Sequence, residues 1–354
     1  MPDTRPLFPF YLAVAWTLLA IYGSLYPFSG WSDSGAGIGD FLVVGWPRYT
    51  TVFDLTANVA AYVPLGFLWV AALRPRLPSH LPLVAAVLGA TLIGTSLSLV
   101  TETLQNFLPS RVPSNLDLAC NALGSVLGAL AGARWSQSLL DGGHLHALRT
   151  RFLLRGALAD AGLLLLLLWL LTQFNPETLL FGNGGLRELI GLPAPLLYSA
   201  QAFTRIEAVV VAAHTLAATL LAGLLVRRAA RLLPFALVLA ALAGKSFAFM
   251  LLMDGRNGLA WATPGSLVGL AAGLLLWITA GRLPAAARRV TAALALLLAT
   301  VLVNLAPDNP YLTHTYQAWD PGHFINFHGL TKLASTLWPF LALPWLFLFR
   351  TGRT

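Results

Sequence analysis

The residues whose types and spacing could do chemistry form three pairs and a bridge. Asp54 and Asn58 are four apart, Glu102 and Gln105 three apart, and Asp117 and Asn121 four apart, with Arg111 between the last two pairs. Spacings of three and four place each pair on one face of a helix. Two carboxylates, Glu102 and Asp117, near one guanidinium admit three readings. In the first, Arg111 neutralises both and locks the connection between two helices. In the second, Asn58, Gln105 and Asn121 are amide donors and Arg111 an anion clamp for a polar head group or a peptidoglycan-like ligand. In the third, the carboxylates act as acid and base, or hold a divalent ion through oxygen. No nucleophile–base motif accompanies them, which weighs against catalysis. No cofactor and no metal centre are expected.

The elements that position these residues follow from composition. The 354 residues are 57% hydrophobic and only 10% charged, and the mean hydropathy is +0.73. A soluble domain carries about 25% charged residues, so a soluble enzyme and a disordered chain are both excluded. Apolar runs long enough for a bilayer, about 20 residues each, number about ten. They are 8–26, 55–73, 81–101, 116–133, 156–174, 206–226, 235–253, 262–280, 289–306 and 334–349. Leu and Ala dominate them without strand-like alternation, so a β-barrel is excluded. The expected fold is an all-α polytopic membrane bundle. The first run lacks a small-residue cleavage site and reads as an uncleaved helix.

The net charge is +8, from 22 basic against 14 acidic residues. The basic residues sit in short clusters between apolar runs, which is the positive-inside arrangement and not a nucleic-acid footprint. Arg74, Arg76, Arg134, Arg155, Arg227, Arg231, Arg282 and Arg288 fall on alternate connections, while Asp33, Asp40, Asp54, Glu102 and Asp117 fall on the others. The expectation is a multi-pass inner-membrane protein with both termini cytoplasmic and the bilayer as its first partner. The seven polar residues then lie at outer helix ends. The 175–205 stretch, moderately apolar and rich in Gly and Pro, reads as re-entrant or interfacial. The single cysteine, Cys120, excludes an intramolecular disulfide.

Two segments repeat a pattern. Gly124-Ser125-x-x-Gly128-x-x-x-Gly132 and Gly265-Ser266-x-x-Gly269-x-x-x-Gly273 are both G-S-x-x-G-x-x-x-G. Small residues at this spacing let helix backbones approach. The pattern also fits a degenerate four-plus-four parallel repeat, with the last two spans added.

The run Glu102-x-x-Gln105, Arg111, Asp117-x-x-x-Asn121-x-x-Gly124-x-x-x-Gly128, preceded by Asn58, Pro64 and Gly66, resembles the signature of the VanZ-like family. The resemblance covers roughly residues 10–135. It implies a VanZ-like four-helix membrane domain at 8–135, followed by a second membrane domain of about six helices at 156–349. It further implies a bacterial cell-envelope role. The family's namesake is associated with low-level resistance to the glycopeptide teicoplanin, so an outer-leaflet lipid-linked or glycopeptide ligand is the partner the resemblance points to. It implies no reaction. The second half lacks counterparts of Glu102, Arg111, Asp117 and Asn121.

The second half has its own polar residues. His214 and Lys245 lie inside the sixth and seventh runs, roughly 10–12 Å below the outer surface at the helical rise. They could line one cavity, with Glu207 a partner for the lysine; alternatively Lys245 snorkels upward and His214 bonds a backbone carbonyl. Such residues also fit a transporter or flippase of a lipid-linked or small polar substrate. The mostly apolar inner halves of the helices weigh against that. His314, His323 and His328 lie among aromatics and read as an interfacial element, because their spacing matches no strong metal template.

Overall fold

Leu- and Ala-rich runs bounded by Pro, Gly and polar residues fold as helices, because a chain in lipid must satisfy its own backbone groups. The computed structural model describes residues 8–33, 35, 37–46, 51–77, 83–139, 144–227, 230–252, 257–309 and 325–349. Every one of the apolar runs is helical, and no strand forms among the described residues beyond an isolated bridge between Leu153 and Val226. The protein is a polytopic membrane protein built of helical bundles. It divides into two compact units, Met1–Thr150 and Arg151–Thr354. His314 and His323 lie outside the described residues, as does the side chain of His328.

The first unit contains α1 (Phe8–Leu25), the short α2 (Asp40–Val43), α3 (Val52–Leu73), α4 (Leu83–Gln105) and α5 (Asn115–Leu139). The short α6 (His144–Phe152) follows. Its most extensive contact is α3 on α5. Pro64 interrupts the hydrogen-bond ladder inside α3. One turn earlier the Trp16 indole of α1 donates to the Ala61 carbonyl at 2.8 Å, tying the two helices at the loosened turn.

The second unit contains α7 (Ala157–Thr172), the short α8 (Leu186–Leu189), α9 (Ala200–Leu225), α10 (Leu233–Leu252), α11 (Pro264–Ala280), α12 (Ala285–Leu305) and α13 (Ile325–Leu348). Helix α9 is central and packs against α7, α10, α11 and α12. Its Ala, Thr and Leu side chains are buried almost without interruption from Val210 to Leu225. The indoles of Trp338 and Trp345 on α13 donate to the carbonyls of Leu165 and Leu158 on α7, at 2.8 and 2.7 Å. The seven-residue step on both helices fixes their antiparallel register.

Among the described residues seven helices are long and apolar enough to cross a membrane, and Ala157–Thr172 and Pro264–Ala280 are apolar but shorter. The shortening of α7 has a local cause. Gln173 donates to the Trp169 carbonyl at 2.9 Å, and the chain leaves the helix there. It enters a non-helical segment whose Asn175 and Leu180–Asn183 are buried. The later part of the 175–205 stretch is exposed and apolar, at Ile190, Leu192 and Leu197.

Both units use the same packing device. On α5, Gly124, Gly128 and Gly132 face the carbonyls of Val59, Val63 and Phe67 on α3. On α11, Gly265, Gly269 and Gly273 face those of Thr204, Ala208 and Ala212 on α9. Each step is one helical turn on both partners. A methyl group at Gly132 would lie 2.9 Å from the Phe67 oxygen, and one at Gly273 2.7 Å from the Ala212 oxygen. At Gly128 and Gly269 it would lie closer still. Backbone cannot move aside as a side chain can. Gly128→Ala and Gly269→Ala should each therefore cost about 1–3 kcal/mol of stability through overpacking. Gly23→Ala on α1, where the added methyl meets nothing within 4 Å, should be neutral or stabilising. Thermal unfolding in detergent checks this, and equal midpoints for all three variants would refute the packing argument.

Candidate functional site

The signature residues of the first unit gather where α1 and α4 end and α3 and α5 begin. Helix ends leave unpaired amides at one side and unpaired carbonyls at the other, and the polar residues answer them. Thr51 caps α3: its Oγ1 accepts from the Asp54 amide at 3.1 Å, and the Asp54 carboxylate accepts from the Thr51 amide at 3.1 Å and its hydroxyl at 2.7 Å. One turn on, Asn58 Nδ2 donates to Asp117 Oδ1 at 2.7 Å, joining α3 to the first turn of α5. Asp117 suits that position because a carboxylate is favoured at a helix N-terminus. Its amide donates to Ser114 Oγ at 3.2 Å. Asp54 is its like-charged neighbour.

Glu102 is buried in the last turn of α4, with 3% of its surface exposed. Its Oε2 accepts from the Ser114 amide at 2.8 Å, so it ties the end of α4 to the start of α5. Deeper in the bundle, Asn121 Nδ2 donates to Ser98 Oγ at 2.9 Å. Among the described residues Asn121 Oδ1 is buried without a hydrogen-bond partner. The Tyr62 hydroxyl sits beside Thr101, Ser98 and Ser24 but meets none of them in hydrogen-bonding geometry.

Gln105 and Arg111 turn toward α1. Gln105 Nε2 donates to the Ser24 carbonyl at 3.0 Å. The Arg111 guanidinium donates to the Tyr26 carbonyl at 3.0 and 2.8 Å and to that of Gly23 at 3.3 Å. These are the carbonyls that α1 leaves unpaired at its C-terminus, where a cation is also favoured by the helix dipole. Burial pushes the Arg111 pKa down from its ordinary value, and the neighbouring Glu102 carboxylate opposes that shift. The structure therefore brings Asn58, Glu102, Asp117 and Arg111 to one end, with Asn121 below them. Sequence reasoning missed Ser114, whose amide donates to the Glu102 carboxylate and whose hydroxyl oxygen accepts from the Asp117 amide.

The connection between α4 and α5 holds a second loop in turn. Phe107 O accepts from the Ser32 amide at 2.9 Å. Asn106 Nδ2 donates to the Ile38 carbonyl at 3.3 Å, and Asn115 Nδ2 to that of Val44 at 2.6 Å. The held loop, residues 26–46, buries Phe41 but exposes Trp31, Ile38, Val43 and Trp46.

In the second unit His214 and Lys245 are both fully buried, and Lys245 does not snorkel. Its Nζ donates to the carbonyls of Asn175 and Thr178 at 2.6 and 2.8 Å and to Thr178 Oγ1 at 3.1 Å. Glu207 is not its partner; that carboxylate accepts from Thr263 Oγ1 at 2.7 Å. Lys245's carboxylate neighbour is Glu177. His214 Nε2 accepts from the Asn183 amide at 3.3 Å, and its Nδ1 faces the Val210 carbonyl at 3.2 Å. An amide can only donate and a carbonyl only accept, so these contacts assign the neutral ring with its proton on Nδ1. Asn304, which sequence reasoning passed over, donates to the Gly184 carbonyl at 2.7 Å and accepts from the Arg187 amide at 2.8 Å. Its signal was a lone amide near the end of an apolar run. All three residues hold the non-helical segment after α7. A cavity of about 650 Å³ adjoins it, lined by Asn175, Glu177, Arg187, Asp308 and Lys332 among others. Arg187 pairs with Asp308 at 2.8 Å and Lys332 with Glu177 at 3.3 Å. Among the described residues no three His, Cys, Asp or Glu side chains gather to hold a metal ion.

Helical bundles whose polar residues are spent on helix ends define a polytopic membrane protein. Residues 9–135 match the model of the VanZ/LLP1 family. The match spans α1 through most of α5, so the first unit carries a VanZ-like domain. No curated protein and no solved structure matches the chain.

Because Arg111 answers carbonyls of α1, its loss should matter even without its charge partner. Arg111→Ala should cost about 1.5–3 kcal/mol, the range for hydrogen bonds from a charged donor. Adding Glu102→Gln should restore only part of that, because the carbonyls stay unanswered. Denaturation in detergent measures both, and full recovery in the double variant would show that charge pairing alone holds this end.

Proposed function

We propose that the protein is a non-enzymatic component of the bacterial cell envelope. In this reading it lies in the inner membrane with both termini cytoplasmic, and its VanZ-like domain engages a lipid-linked or glycopeptide amphiphile at the outer leaflet. The observation that carries the reading is the braced loop at 26–46. The signature residues fix the ends of α1, α4 and α5, and the connection they brace grips a loop that exposes Trp31, Ile38, Val43 and Trp46. Tryptophans and aliphatic side chains beside polar groups favour the headgroup level of a bilayer, where an amphiphile presents both a head and a tail. The bonds made by Glu102, Asp54 and Asp117 to helix-end amides and side chains support a bracing role over acid–base work. A transporter of a small polar substrate is the second reading, favoured by the cavity between the Arg187–Asp308 and Glu177–Lys332 pairs.

Orientation is tested first. In a Cys120→Ala background, Ser29→Cys should react with a membrane-impermeant thiol reagent added outside the cell, and Ser138→Cys should not. Labelling of Ser138→Cys from outside would overturn the topology and with it the outer placement of the loop.

The role is tested by teicoplanin inhibition of a bacterial host with and without the protein. The parent should raise the inhibitory concentration. Trp31→Ser with Trp46→Ser should abolish the increase while membrane levels stay unchanged, because both side chains are exposed. No increase with the parent, or full retention in the double variant, would refute glycopeptide engagement at this loop.

A further inference from the structure

We propose that the second unit binds an anionic phospholipid, its phosphate held by arginines in a cavity at the unit's basic end. The C-termini of α9 and α11 and the N-termini of α10 and α12 surround a space of about 830 Å³. Arg227, Arg231, Arg282 and Arg288 line it, and among the described residues no acidic side chain does. Four like charges around one space repel one another and call for a counter-charge. The unit supplies only part of it. Arg288 Nη1 donates to the Gly223 carbonyl at 3.2 Å, near the end of α9. Among the described residues Arg288 Nε is buried without any hydrogen-bond partner. A buried guanidinium donor left unanswered is uncommon in a native structure and favours an anionic acceptor at this position. Phosphate oxygens suit guanidinium donors in number and geometry.

The walls decide between a lipid and a soluble anion. Leu232, Phe235 and Ile278 line the same cavity and are exposed by 77%, 40% and 51%. A free phosphate would leave these surfaces uncovered. A phospholipid would place its acyl chains on them while its phosphate meets the arginines. Basic pockets between membrane helices hold anionic head groups by this division of labour. In the orientation proposed above, this end faces the cytoplasmic leaflet. The binding argument itself rests on the second unit alone and stands whether or not the first unit engages a glycopeptide.

The test is native mass spectrometry of the full chain in neutral detergent, with equal amounts of phosphatidylglycerol and phosphatidylcholine of matched acyl chains. The parent should retain phosphatidylglycerol about tenfold more than phosphatidylcholine, a preference of about 1.4 kcal/mol. Arg227→Gln with Arg282→Gln should bring the ratio close to one. Both residues are exposed, so folding should be kept, and the ratio is read only on folded ions. Should that pair fail to fold, Arg231→Gln with Arg282→Gln takes its place. Arg151→Gln with Arg155→Gln removes the same charge from exposed arginines that do not line the cavity. That pair should keep the preference. Equal retention of the two lipids by the parent would overturn the proposal. So would an equal loss in the cavity and control pairs, which would mean diffuse surface attraction. Displacement of phosphatidylglycerol by inorganic phosphate at matched concentration would assign the site to a soluble anion instead.

Discussion

A bilayer offers backbone amides and carbonyls no water, so wherever a helix stops or breaks within it, protein groups must answer them. That constraint accounts for most of the polar residues of this protein. In the first unit Glu102 answers the amide of Ser114, and Gln105 and Arg111 answer the last carbonyls of α1. In the second, the chain leaves α7 early and runs buried without helical hydrogen bonds. Lys245, His214 and Asn304 then do for that segment what the ladder would have done. Glu102, Arg111 and Lys245 are costly to bury, and each bonds backbone groups at a helix end or in the non-helical segment.

The second constraint is closeness. A side chain can bridge two helix ends with one hydrogen bond only if the helices are near enough for a fixed geometry. The glycine faces of α5 and α11 provide this, seating bare Cα atoms on the carbonyls of α3 and α9. The Asn58–Asp117 bond lies at the end of the first of these contacts and the Glu207–Thr263 bond at the end of the second. In each unit a close glycine seam therefore runs into a polar clasp. Gly265 meets both, because a methyl there would strike Thr204 O and the Glu207 carboxylate.

The apolar runs, the glycine seams and the polar pairs were legible in the sequence because each has a signature: length, a spacing of four, and charge out of place. What those polar groups bond to was not. Arg111 was expected beside a carboxylate and does neighbour Glu102, but its hydrogen bonds go to Tyr26 and Gly23 through their carbonyls. Every residue carries a carbonyl, so the acceptor leaves no mark in the sequence. The same holds for Lys245, whose acceptors are the carbonyls of Asn175 and Thr178 and one hydroxyl, not Glu207. Ser114 escaped notice because its amide does half the work. The end of α7 was legible within two residues, since Asn175 and Pro176 close its run, but that the chain then runs buried to Asn183 was not.

Counting which groups are answered also redirects attention from charge to neutral amides and hydroxyls. The carboxylates and the guanidinium of the VanZ-like domain are engaged by helix ends and by one another. The neutral groups buried without a hydrogen bond among the described residues include Tyr62 Oη and Asn121 Oδ1 in the first unit, and Asn175 Nδ2 and Asn183 Nδ2 in the second; the Nε atoms of Arg288 and Arg289 are open as well. A neutral donor or acceptor costs less to leave open than a charge, by several kcal/mol in an apolar interior. A membrane protein can therefore leave neutral groups open at a lower cost than charges. Asn175 lines the 650 Å³ cavity; its carbonyl accepts from Lys245 and its side-chain oxygen from the Glu177 amide, while its Nδ2 is buried without a hydrogen bond. The buried lysine thus spends its donors on backbone carbonyls of the segment that carries this amide, and fixes it through the main chain.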